Sequence, residues 1–194
     1  LNNEEMESYL SRLLSADYRV ELRMMLQAEF LEKGESRQRW DVINETLVCR
    51  GRDARPIEVH VDLNEGYMTS YIADGLIVAT ATGSTAYALA AGGPILPPEL
   101  RNMLVLPIAP HLSLDRAVVL AEGAVVNLRA TSDFEVVLSI DGMTPITIGP
   151  ENSIRVSANK KSLRMVRFGE ANYFYRDLAG LLQRNPILAM ENND

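Results

Sequence analysis

The stretch of sequence richest in chemistry runs Asp74-Gly75-Leu76-Ile77-Val78-Ala79-Thr80-Ala81-Thr82-Gly83-Ser84-Thr85-Ala86-Tyr87 and continues to Gly92-Gly93-Pro94. It gathers small residues where backbone must come close to something. Thr82, Ser84 and Thr85 flank Gly83 between an apolar strand pattern and a helix start. Bare N–H groups and a positive helix end at such a place suit a phosphate or a ribose. The same hydroxyls equally suit capping of the helix. No lysine follows the glycine, which excludes the ATPase P-loop pattern. Ser84 lacks the second flanking glycine of Gly-x-Ser-x-Gly, so a hydrolase nucleophile elbow finds little support.

Three further stretches stand in a fixed order around this block: Asn44-Glu45 before it, Ala91-Gly92-Gly93-Pro94-Ile95 at its end, and Pro107-Ile108-Ala109-Pro110-His111-Leu112 beyond. With these, the chain resembles the C-terminal domain of the NAD kinases, ATP- or polyphosphate-dependent. The resemblance implies a mainly β, multi-stranded, sandwich-like domain of the NAD kinase/diacylglycerol kinase-like fold with a few short helices. It also implies transfer of a phosphoryl group to the 2′-hydroxyl of the adenosine ribose of NAD, giving NADP. Mg²⁺ or another divalent cation would travel with ATP.

Residue by residue, Asn44 and Glu45 match the pair that holds the adenosine half. An amide donates and accepts, and a carboxylate accepts from ribose hydroxyls or the adenine amine. Thr85, Ala86, Tyr87, Ala88, Leu89 and Ala90 match the segment that wraps the adenine and nicotinamide portions. Asp74 matches an aspartate that reaches the nicotinamide side, often from a neighbouring subunit, which implies a homodimer or homotetramer. Arg55, Thr82, Gly83, Ser84 and His111 are further ligand-contact candidates; no metal ligand is named. The sequence departs from the family pattern at Ala81, Ala90, Ile72 and Met143, where proline, serine, a basic residue and glutamine are usual.

The family's catalytic Gly-Gly-Asp-Gly segment is absent. Gly92-Gly93 runs into Pro94, and neither Asp74-Gly75 nor Asp141-Gly142 has preceding glycines. The general-base aspartate is therefore expected upstream of Leu1, in an N-terminal α/β domain absent from this sequence. The chain would then carry the NAD half of a site and bind without turnover. Two rival readings are a catalytically silent nucleotide-binding or assembly module of the same fold and a lipid-kinase relative, whose apolar substrate would want a greasy cleft in place of Asn44-Glu45.

The elements that must position these residues are legible in periodicity. Met6, Leu10, Leu13 and Leu14 give an amphipathic helix over 1–16, an inter-domain segment. A β-rich NAD-binding domain with a C-terminal helix follows over 17–185, then a tail over 186–194. Tyr18, Val20, Leu22, Met24 and Leu26 alternate with Arg19, Glu21 and Arg23, predicting a strand whose apolar set faces inward. Lys33 to Arg39 reads as a hairpin connection and Trp40 to Val48 as the returning run. Ile57 to Leu63 and Tyr67 to Tyr71 make a second hairpin, and Leu76 to Ala79 a buried strand. Leu104 to Ile108, Val118 to Leu120, Val125 to Ala130, Val136 to Ile140, Ile154 to Val156 and Leu163 to Phe168 complete a sandwich-like body. Tyr173, Leu178, Leu181 and Leu182 suggest a helix stopped near Asn185-Pro186.

Composition bounds the rest. The 194 residues carry 19 Lys+Arg against 26 Asp+Glu, a net charge of −7 with no basic block, so a nucleic-acid surface is not expected. Cys49 is the only cysteine, and His60 and His111 the only histidines, which leaves no Cys- or His-based zinc set. No apolar run approaches the roughly 20 residues that span a bilayer. The expected compartment is the cytoplasm.

Overall fold

Alternating apolar residues give this chain its strands, and a computed structural model describes residues 3–64, 66–111, 115–169, 173–175 and 178. In chain order the strands are β1 (Arg19–Glu32), β2 (Glu35–Val42), β3 (Glu45–Arg50), β4 (Ile57–Leu63), β5 (Gly66–Ala73), β6 (Gly75–Thr80), β7 (Asn102–Ile108), β8 (Val118–Ala121), β9 (Val125–Thr131), β10 (Val136–Ile140), β11 (Ile146–Ile148) and β12 (Asn152–Arg167). They form two six-stranded sheets, ordered β2-β1-β12-β9-β4-β5 and β11-β10-β3-β6-β7-β8. The expected mainly β sandwich is what the chain adopts.

The inner faces meet in one apolar cluster. Leu26, Val59, Val61, Leu128 and Val156 come from the first sheet, and Val48, Leu76, Val78, Met103 and Leu138 from the second. Each fully buried side chain of this size contributes about 1.5–3 kcal/mol. Strand β6 is buried at every position, which explains its continuous apolar run. Its outward residues Ile77 and Ala79 are covered by a smaller cluster with Ala88, Leu104 and Leu106. Ala88 lies in the one-turn helix α2 (Tyr87–Ala90), which follows a 3₁₀ turn at Gly83–Thr85.

Three sequence expectations need correction. The reversal between β1 and β2 is confined to Lys33-Gly34, both at positive φ (51° and 82°), so most of Lys33 to Arg39 is exposed edge strand rather than connection. Trp40 to Val48 is not one run, because the chain leaves the first sheet after Val42 and enters the second at Glu45. Ile154 to Val156 and Leu163 to Phe168 belong to a single long strand, β12, ending at Arg167. Its buried Asn159 donates to Asp41 Oδ1 at 2.6 Å, so a polar residue sits mid-strand without ending it.

The described residues fall into two compact units, one from Leu22 to Leu163 and one comprising those up to Glu21 and from Arg164 onward. In the latter, the helix α1 (Asn3–Leu14) precedes the start of β1. Arg12 pairs with Asp17 at 2.7 Å, donates to the Phe168 carbonyl at 2.7 Å and lies 5.2 Å over the Phe168 ring. The predicted inward face of early β1 is reversed: Val20 and Leu22 are exposed, while Glu21 and Arg23 are buried. Burial of Glu21 is tolerated because Arg19 (3.3 Å) and Arg167 (3.6 Å) neutralise it. Tyr173 and Leu178 are helical; Leu112, Leu181, Leu182, Asn185, Pro186 and the tail lie outside the described residues.

Candidate functional site

The two-residue crossing Ile43-Asn44 carries the chain from one sheet to the other, and such a crossing strips backbone groups of ladder partners. One carboxylate restores them. Asp141 accepts from the Ile43 N–H through Oδ2 (2.7 Å) and from the Asn44 and Glu45 N–H groups through Oδ1 (2.8 and 2.9 Å). The Asp141 N–H returns a bond to the Glu45 carbonyl at 3.0 Å. Asp141 and Gly142 both have positive φ (47° and 72°), and the Met143 N–H bonds the Ile140 carbonyl at 2.8 Å. This is the tight turn for which Asp-Gly is suited.

On the other side of the crossing, Thr80 ties it to the glycine-hydroxyl turn. The Thr80 N–H donates to the Asn44 carbonyl (2.9 Å) and its hydroxyl to the Ile43 carbonyl (2.7 Å). The same hydroxyl accepts from the Gly83 N–H at 2.9 Å. A Cβ at Gly83 would overlap the Asn44 carbonyl, so glycine there permits the contact. Buried Arg23 donates to the Thr82 hydroxyl at 3.1 Å. Asn44, Glu45, Thr82 and Gly83 are thus drawn into one cradle.

The turn's hydroxyls do not cap α2 by side chain, correcting that expectation. Ser84 is fully buried, its hydroxyl donating to the Ala81 carbonyl (2.7 Å) and accepting from the Leu96 N–H (2.9 Å). It fastens the turn to the segment covering β6. Thr85 donates to the Thr82 carbonyl at 3.1 Å. Thr85, Ala86, Tyr87 and Ala90 are exposed, Leu89 is half-buried, and Ala88 is fully buried. The last is a core contact.

Glu45 is the electrostatically unusual member. Burial, and secondly the charge of Asp141, push its carboxyl above the ordinary glutamate range. Its Oε2 is shut off from solvent and accepts no hydrogen bond among the described residues. An acceptor so placed is costly unless a donor meets it.

Asp74, Arg55 and His111 lie elsewhere. β6 runs from Gly75 to Thr80, so Asp74 and Thr80 stand about 20 Å apart at ~3.3 Å per residue. Asp74 pairs with Arg50 at 3.2 Å, both side chains about one-third exposed. The Asp74 N–H bonds the Ile108 carbonyl (2.9 Å), and the His111 N–H the Ile72 carbonyl (2.7 Å). Arg55 lies 5.1 Å over the Phe134 ring. Three sequence candidates therefore sit at one end of the second sheet, and the Asn44 and Thr82–Ala90 set at the other. Cys49, near Asp74, has its thiol pushed up by burial. His60 is half-buried and bonds Ser70 at 2.7 Å.

Sequence reasoning passed over Asp141, Thr80, Arg23 and Arg50. Only Asp141-Gly142 left a signal, as turn chemistry. A cleft of about 550 Å³ lies between β2 and the β10–β11 hairpin, lined by Trp40, Ile140, Gly142, Met143 and Ile146 among others. It contains none of the sequence-named site residues. No group of three or more His, Cys, Asp or Glu side chains among the described residues is placed to hold a metal ion.

Residues 43–168 match the model of the ATP-NAD kinase C-terminal domain. An NAD kinase of Dehalococcoides mccartyi is 38% identical over 187 residues, covering 95% of this chain and 66% of that protein. One from Pseudomonas fluorescens is 35% identical over 173 residues, 88% of this chain and 58% of that protein. The chain thus spans somewhat under two thirds of these relatives' length. A crystal structure of yeast NADH kinase complexed with NADH superposes with a TM-score of 0.85 at 26% identity, covering 94% of this chain and 54% of that one. An Archaeoglobus fulgidus NAD kinase in complex with ATP shares the fold, with a TM-score of 0.74 at 24% identity over 93% of this chain and 66% of that one. The domain match over more than half of the sequence, with relatives at this identity, places the chain in the NAD kinase family as its C-terminal domain.

Proposed function

We propose that the protein to which this chain belongs phosphorylates the 2′-hydroxyl of the adenosine ribose of NAD, with ATP or polyphosphate as donor, and that this domain supplies the dinucleotide-binding half. The observation that carries the reading is the Glu45 Oε2, buried and without a donor among the described residues, immediately after Asn44 in a crossing fixed at every backbone group. A ribose hydroxyl or the adenine amine is the donor such an oxygen requires. The exposed Thr85-Ala86-Tyr87 edge offers backbone and an aromatic face to the same ligand. NADH, with the same adenosine half, meets the same groups.

Asp74 reaches the nicotinamide side of a ligand bound to a second copy. A distance of about 20 Å along β6 separates it from its own chain's cradle, which favours a homodimer or homotetramer with shared sites. The general base comes from a Gly-Gly-Asp-Gly segment outside this sequence. The cradle does not fit a divalent cation: the Asp141 carboxylate already accepts three N–H bonds, and no group of three or more His, Cys, Asp or Glu among the described residues is placed to hold one. The protein acts in the cytoplasm; among the described residues no helix is long and apolar enough to cross a membrane.

Calorimetry of the chain with NAD, beside an assay of NADP formation with ATP and Mg²⁺, tests this. Binding without turnover is expected, and Asn44→Ala should weaken it about tenfold, the loss of one or two hydrogen bonds. Robust turnover by the pure chain overturns the half-site assignment. A chain with no affinity for NAD overturns the binding reading.

A further inference from the structure

The Asp141 carboxylate is 96 to 98 residues from the groups it binds, and its position explains why Asn44 and Glu45 stand as they do. Asn44 has no ladder to define its backbone, and Glu45, which opens β3 opposite Ala79, gives its N–H to Asp141, so the direction of both side chains depends on what anchors these N–H groups. Here three consecutive N–H groups converge on one carboxylate. The opposite carbonyls are held by Thr80. Asp141 is itself fixed by its tight turn and by its N–H bond to the Glu45 carbonyl. Oδ1 takes two of the N–H groups and Oδ2 the third.

We propose that Asp141 is a positioning residue for dinucleotide binding: its carboxylate holds Ile43, Asn44 and Glu45 in the conformation that presents the Asn44 amide and the Glu45 carboxyl to the adenosine half, without touching the ligand. The proposal rests on the binding role given above to Asn44 and Glu45. It goes beyond that role in assigning the geometry of the pair to a residue on another strand connection. Preorganisation of this kind removes an ordering cost from binding. Its loss therefore falls on the order of residues 43–45 and on affinity for the part of the ligand that the pair meets.

Asn at position 141 keeps one acceptor oxygen, which still serves Asn44 and Glu45, but turns an N–H₂ group toward the Ile43 N–H. Ser keeps a single short acceptor. The two variants thus grade the loss. Calorimetry on the chain with NAD, ADP-ribose and nicotinamide mononucleotide should show NAD and ADP-ribose weakened by the same factor, about tenfold for Asp141→Asn and more for Asp141→Ser. Nicotinamide mononucleotide should be unaffected. Amide hydrogen exchange, read by NMR, should quicken at residues 43–45 in both variants while the core amides of Val59, Val61 and Leu128 keep their protection. A purely structural role would lower protection everywhere. Wild-type affinity for NAD in both folded variants overturns the proposal and leaves the binding reading standing. A wild-type chain that does not bind NAD overturns both. Should neither variant fold, wild-type exchange decides: protection at 43–45 before any ligand is added supports the clamp, and unprotected amides there overturn it.

Discussion

The two ends of the second sheet carry the two halves of the sequence-named site, and they are built on opposite principles. At the Asn44 end, hydrogen bonds of fixed geometry do the holding: the half-buried Asp141 carboxylate on three N–H groups, the buried Thr80 hydroxyl between Ile43 and Gly83, and a glycine pressed on the Asn44 carbonyl. At the Asp74 end, a partly exposed ion pair with Arg50 and a cation–π contact of Arg55 lie among solvated side chains. The first end is fixed before any ligand arrives. The second is held by interactions that water screens. A stretch continuous in sequence, Asp74 to Tyr87, is therefore not one site: strand β6 divides it.

Gly83→Ala should break the first end most severely. The new Cβ would enter the Asn44 backbone, which is pinned on both sides and cannot yield. The expected loss is about 3 kcal/mol or more in chemical unfolding, with NAD binding abolished. Gly75→Ala is the matching probe at the other end, where a Cβ would come to 2.7 Å from the Cys49 Cβ and 2.8 Å from the Val48 carbonyl. It should also destabilise, yet leave binding of adenosine-half ligands in place where the chain still folds. Equal loss of binding from both would erase the distinction between the ends.

Thr80→Val keeps the shape and removes the hydroxyl. It orphans the Ile43 carbonyl and the Gly83 N–H together, for an expected loss of about 2–4 kcal/mol. A loss below ~1 kcal/mol in urea unfolding, on the scale of an exposed ion pair, would show that the cradle is less rigid than its hydrogen bonds indicate.

How much of this was legible in the sequence differs between the ends for physical reasons. Strand alternation and turn chemistry marked most strands, because side-chain direction in a sheet has a period of two. The rule failed at Val20 and Leu22, which are exposed, since Glu21 pairs with Arg19 and Arg167 and Arg23 donates to the Thr82 hydroxyl, contacts that make their burial tolerable. The Thr82–Tyr87 turn was marked by residue type, and Asn44 and Glu45 by their match to the NAD kinase pattern. Asp141, Thr80 and Arg23 were not, because what they do is set by contacts far along the chain or hidden inside an apolar run. That Asp74 and Asn44 lie at opposite ends follows from the antiparallel pairing of β3 with β6, Glu45 opposite Ala79 and Cys49 opposite Gly75. Pairing partners are not written in either strand alone.

Glu45→Gln has a smaller and pH-dependent effect. The folded chain raises the Glu45 pKa above its unfolded value, through burial first and the Asp141 charge second. The folded state then binds the proton more tightly, so this group's contribution is full below the ordinary glutamate range and is lost as pH rises through the folded pKa. Glutamine removes the titration. The variant's melting temperature should exceed that of the wild type by a few degrees at neutral pH, the gap closing as pH falls below the glutamate range. NAD affinity should drop at the same time, because the amide is a weaker acceptor than the carboxylate. A variant less stable than wild type at neutral pH would contradict the direction of the shift.

Asp74→Asn should be the mildest change to the single chain. Its ion pair with Arg50 is about one-third exposed on both sides, so unfolding should shift by less than about 1 kcal/mol, and affinity for ADP-ribose should not move. Under the proposed sharing of sites between copies, the consequence appears only in the assembled protein, where NADP formation should fall because Asp74 would serve the nicotinamide side of a neighbour's site. Mixing separates the two cases. In a mixed oligomer of Asp74→Asn and Asn44→Ala protein, a cradle with an intact Asn44 can meet an intact Asp74 from its neighbour. Activity should then exceed that of either variant alone. If Asp74 instead serves the cradle of its own chain, every site in the mixture carries one lesion and no activity returns; the two ends would then act within one chain, against the distance that β6 sets between them.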